Sequence, residues 1–170
     1  MLRFGILLLT AYFLSIFQSA LVSEIFPNFL KPDLMLIFIT YLGTSPFLIA
    51  GAMLTLGGGL FYDTFSGSPF GFFVMIYLVI FFLLQLLRKV LILGENIVVR
   101  LSLVALAVGV QFCLLIFLPL FFGSLENFSS PGANWILSQA VMTFAAGWPV
   151  FRFLKIFSGI PGFALPQPMA

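Results

Sequence analysis

The charged residues of this chain stand at the margins of long apolar runs. Nothing charged lies between Arg3 and Glu24, Asp33 and Asp63, Asp63 and Arg88, Arg100 and Glu126, or Glu126 and Arg152. Runs of that order match the roughly 20 apolar residues with which a helix crosses a bilayer. In hydrocarbon the backbone must satisfy its own N–H and C=O groups, and a helix does so within one segment. The expectation is therefore an all-α integral membrane protein. A hydrophobic content of 62%, a charged content of 7% and a mean hydropathy of +1.25 agree with it, since about a quarter of the residues of a soluble domain are charged. Residues 1–157 read as a single polytopic transmembrane domain, and 158–170, rich in proline and without periodicity, as an extended or disordered cytoplasmic tail.

Proline, serine and glycine divide the chain into six expected spans. The first runs from Phe4 to Ser23; with no small-residue cleavage site after it, it reads as an uncleaved helix rather than a signal peptide. Pro32 suits a first helical position and Asp33 a first turn, where the helix dipole favours an acid, so a second helix reaches Thr44. At 13 residues it would measure only about 20 Å. Ser45-Pro46 and Ser68-Pro69 read as N-cap and first-position pairs opening a third helix, to Tyr62, and a fourth, to Leu87. A fifth spans Ile97 to Phe122, with Pro119 as a kink or terminator near its end. A sixth runs from Asn134 to Phe157, interrupted by Gly147 and Pro149, and a Trp148-Pro149 kink there would open a notch for another helix.

Six spans with the N-terminus inside place Arg3, Arg88, Lys89, Arg100, Arg152 and Lys155 on the cytoplasmic side and Lys31 alone outside. That bias favours both termini in the cytoplasm. One helix over 33–62 would give five spans with the same bias, but it would measure about 45 Å with Pro46 in its middle.

Two stripes of small residues stand out. Gly51, Thr55 and Gly59 precede Asp63 at intervals of four on the third helix, and Ala11, Ser15 and Ser19 repeat the interval on the first. Such stripes let a second helix approach closely, so both read as grooves for partner helices. The segment from Asp63 through Ser66 and Gly67 to Gly71 reads as a tight outer turn, with the Asp63 carboxylate held by N–H groups near Ser66 and Gly67. Asp33 and Asp63 are both expected at the outer face. They admit a carboxylate-dyad reading, against which a dipole role for Asp33 and a turn role for Asp63 explain both positions. All five acids are expected at helix ends or in loops, which argues against an ion relay.

Histidine is absent, which removes the commonest general base and zinc ligand, and the single Cys113 admits no disulfide within the chain. The reading is non-enzymatic, with no catalytic, metal or cofactor site and no nucleic-acid partner.

Three stretches carry a family resemblance: PDLMLIFITYLG at 32–43, GAMLTLGGGLFYDTFSGSPFG at 51–71 with its spaced glycines followed by D-x-x-S-G-x-x-x-G, and GWPVFRFLKIF at 147–157. They resemble the MreD family of rod shape-determining membrane proteins. The resemblance implies a scaffold of the bacterial elongation complex that controls cell shape and lateral peptidoglycan synthesis. The partners it implies are MreC, with MreB, RodA and a penicillin-binding transpeptidase in the same assembly. The implied fold is similar to the six-helix substrate-binding subunits of energy-coupling-factor vitamin transporters, and such a subunit is the alternative function. An enzyme of lipid metabolism is a third, weakened by the missing histidine.

Overall fold

A computed structural model describes residues 2–18, 32–46, 48–66, 70–90, 97–122 and 133–158. These form six helices: α1 (Leu2–Ile16), α2 (Leu34–Gly43), α3 (Leu48–Ser66), α4 (Phe72–Val90), α5 (Ile97–Phe122) and α6 (Ala133–Ser158). Among the described residues there is no strand. Two stretches, Leu48–Ser66 and Phe72–Lys89, are long and apolar enough to cross a membrane. Of their residues 33% and 39%, respectively, are buried inside the bundle.

α2 is the central element. It packs against all five other helices, which follow one another around it in the order α1, α3, α4, α5, α6. Every residue from Met35 to Gly43 is buried. A ten-residue helix measures about 15 Å, so α2 is a short rod enclosed by the other five helices. Its two ends are held differently. At the N-terminus Asp33 is the N-cap, its carboxylate accepting from Leu36 N at 2.9 Å, while Gln18 Oε1 accepts from Met35 N at 3.0 Å. Two otherwise orphaned amides are thereby satisfied. At the C-terminus the Ser45 carbonyl accepts from Gln85 Nε2 and Arg88 Nη1, both at 2.9 Å.

Residues 33–62 are not one helix: a turn over Thr44, Ser45 and Pro46 separates α2 from α3, so the single long helix of the five-span alternative is not formed. Ser45 does not cap the following helix as expected. Its hydroxyl donates back to Leu42 O at 2.7 Å and closes the preceding one. α3 runs past Tyr62 to Ser66, so Asp63 lies in its last turn. α4 begins at Phe72, three residues beyond Pro69. α5 has the expected bounds and continues through Pro119. α6 passes through Gly147 and Pro149 without a break. Gly147 is buried where a Cβ would stand 3.3 Å from Leu101, and Trp148 and Pro149 face outward, with the Arg152 guanidinium 5.4 Å from the Trp148 ring centre. Ser19, Gly67 and the tail 159–170 lie outside the described residues.

The small-residue stripes are filled from within the chain. A Cβ on Gly51 would stand 2.7 Å from the Phe81 ring, and one on Gly59 would stand 2.9 Å from Val74 Cα, both on α4. A Cβ on Gly58 would lie 3.4 Å from Ala11 Cβ, which puts the α1 stripe against α3. Ala11, Ser15 and Thr55 are fully buried. The spacing marks a close helix contact, as small residues at fourth positions do, but the helix received is this protein's own. The partner-groove expectation for Gly51, Thr55, Gly59, Ala11 and Ser15 is corrected accordingly.

Candidate functional site

Polar side chains inside this bundle converge on the Asp33 carboxylate. Asp33 is 2% exposed. Its Oδ1 accepts from Leu36 N at 2.9 Å and from Gln18 Nε2 at 3.3 Å. Its Oδ2 accepts from Gln111 Nε2 at 2.8 Å. The Tyr77 hydroxyl lies across both oxygens, at 3.5 and 3.4 Å. The backbone N–H of Asp33 donates to Thr143 Oγ1 at 3.0 Å. Gln18 Nε2 also lies 3.3 Å from the Tyr62 hydroxyl.

All six helices meet at this point. Gln18 follows α1 on a π-helical turn, Asp33 opens α2, Tyr62 comes from α3, Tyr77 from α4, Gln111 from α5 and Thr143 from α6. The rings of Tyr62, Phe73 and Tyr77 pack on one another at centre distances of 4.7–5.8 Å, which sets the two hydroxyls toward the carboxylate. Leu36 N, Gln18 Nε2 and Gln111 Nε2 are donors, as an acceptor-only carboxylate requires. Among the described residues no Lys or Arg pairs with Asp33.

Asp33, expected at the outer face, is buried among the helices. The short α2 begins inside the bundle, so its first residue is interior, beside Gln111 near the middle of α5. The remaining members of the cluster escaped the sequence reading. Their signal was Gln18, Gln111 and Thr143 standing singly in apolar runs, since an unaccompanied amide in such a run needs an internal partner.

Asp63 has separate work. Its carboxylate accepts from Gly71 N at 2.8 Å, Phe73 N at 2.9 Å and Val74 N at 3.5 Å. These amides open α4, so Asp63 caps the next helix from the last turn of α3. The position where a capping side chain belongs is Gly71, with φ of +91°, a conformation that disfavours any side chain. Of the expected donors, Gly67 lies outside the described residues; the Ser66 hydroxyl donates to Asp63 O at 3.4 Å. A carboxylate against a helix start is favoured by the dipole, which resolves the conflict of an acid closing α3. The two aspartates thus hold different sets of backbone amides rather than each other. Pro32 is buried beside Asp33.

Thr55 Oγ1 is buried without a hydrogen-bond partner, so its contribution is shape. Thr55→Val keeps the shape and removes an unpaired hydroxyl, whose burial costs about 1 kcal/mol or more. Thermal melting of the purified variant is expected at or above the wild-type temperature; a clear fall would assign the hydroxyl a partner.

No family model, curated protein or solved structure matches the chain.

Proposed function

We propose that the chain is a non-enzymatic membrane scaffold of the bacterial elongation complex, of the MreD type, crossing the inner membrane six times with both termini in the cytoplasm. The observation that carries the reading is the central segment from Gly51 to Gly71, on which the resemblance chiefly rests. Its glycines bring α3 against α4, and its aspartate caps α4. That segment serves to hold helices in register, as a scaffold needs. Large apolar side chains face outward on several helices, among them Phe13, Ile49, Leu86, Val98, Ile116 and Val141, as a lipid-facing surface would have.

In this reading the partner MreC is met by outward-facing side chains, because the small-residue groove is closed by α4. MreB, RodA and the transpeptidase belong to the same assembly. Depletion in a rod-shaped host tests the reading: cells are expected to widen and round, and affinity-tagged chain to carry MreC with it. Cells that stay rod-shaped would sink the proposal, and a vitamin auxotrophy instead would point to the transporter alternative.

A further inference from the structure

We propose that Asp33 and Tyr77 form a proton-binding pair at the centre of the bundle, a site that takes up and releases one proton without any change in the helix arrangement. It goes beyond the scaffold reading and depends on no partner.

The argument starts from which neighbours tolerate a proton on the carboxyl group. Leu36 N can only donate. Gln18 is fixed in its orientation: its Oε1 accepts from Met35 N, and its amide nitrogen serves Asp33 and Tyr62. Turning that amide to accept a proton from Asp33 would break the capping of Met35. Gln111 donates at 2.8 Å, and it too would have to turn its amide over. A hydroxyl is different, because one oxygen both donates and accepts. The Tyr77 oxygen can accept a hydrogen bond from Oδ2–H while its own O–H goes on donating to Oδ1, so every heavy atom stays in place. Oδ2, with only Gln111 and Tyr77 as its partners, is then the oxygen that takes the proton.

The balance is simple. A proton from water joins Oδ2, the carboxylate becomes a carboxylic acid, its O–H donates to Tyr77 Oη, and nothing is oxidised or reduced. The groups facing Asp33 are Gln18 from α1, Tyr77 from α4, Gln111 from α5 and Thr143 from α6, with Tyr62 of α3 behind Gln18. Of these the two tyrosines are titratable, and Asp63 is the other acid whose charge bears on them. Among the described residues no cation neutralises the cluster, and a carboxylate buried without one is costly to keep charged. Proton uptake relieves that cost.

The chain contains two aspartates, Asp33 and Asp63, so carbon-13 labelling of aspartate carboxyl groups isolates the pair for infrared titration of the full-length protein. The expected result is a labelled carboxylic-acid band that persists above the pH at which an exposed aspartate ionises, disappears as the pH is raised further, and shifts in frequency or midpoint in Tyr77→Phe. Asp33→Asn is expected to remove it; should that variant fail to fold, Tyr77→Phe decides alone. A labelled acid band that is absent above that pH or never titrates, or one that Tyr77→Phe leaves unmoved, overturns the pair. Failure here would leave the cell-shape experiment untouched, since that depends on assembly and not on the proton.

Discussion

Asp33→Ala is expected to abolish the folded bundle. The substitution strips the acceptor from Leu36 N, Gln18 Nε2, Gln111 Nε2 and the Tyr77 hydroxyl together. A buried donor left unpaired costs about 1–3 kcal/mol, and four of them approach the roughly 5–15 kcal/mol by which a domain is stable at all. The damage is shared by every helix, because each contributes to the cluster. The measurement is yield of monodisperse protein in detergent and its melting temperature; a variant melting within about 5 °C of wild type would show that the cluster contributes little. Asp33→Asn keeps one oxygen acceptor and is expected to lose less.

The second large effect is a contrast between adjacent glycines of α3. Gly59→Ala is expected to be severely destabilising, by about 2 kcal/mol or more, because the new methyl meets the Val74 backbone at 2.9 Å and no backbone yields cheaply. Gly58→Ala meets the terminal methyl of Met35, the free end of a flexible side chain. Alanine also favours a helix over glycine by about 1 kcal/mol, so Gly58→Ala is expected near neutral. Melting of the two variants side by side checks this. Equally small losses would mean that α3 and α4 are further apart than the structure places them, and equally large ones that Met35 cannot yield. Both effects should appear in the isolated protein, with no partner present, since the groove is intramolecular.

Much of the helix layout was legible before the structure. The bounds of α5, the shortness of α2 and the separation of α2 from α3 all follow from apolar run lengths and from Pro46. The roles of the two aspartates were only half legible. That Asp63 holds backbone amides follows from its place before a glycine-containing turn; that those amides lie 8–11 residues on depends on how α4 returns along α3. The stripes were read correctly as contact surfaces and wrongly as vacant. Periodicity identifies a face and is silent about which helix fills it. The Asp33 cluster is the extreme case: its hydrogen-bonded partners are separated by up to 110 residues, and no local rule links Gln18 to Gln111.

The capping of α2 also sets an order of events in synthesis. Its own sequence supplies one of the groups that finish its N-terminus, but Gln85, Arg88, Gln111 and Thr143 all follow it in the chain. At about 5–20 residues per second, the 110 residues between Asp33 and Thr143 separate their emergence from the ribosome by roughly 5–20 s. For that interval the innermost helix of the mature protein is its least completed part. A nascent chain stopped before α5 and α6 would present to the insertion machinery a buried carboxylate still waiting for its neighbours.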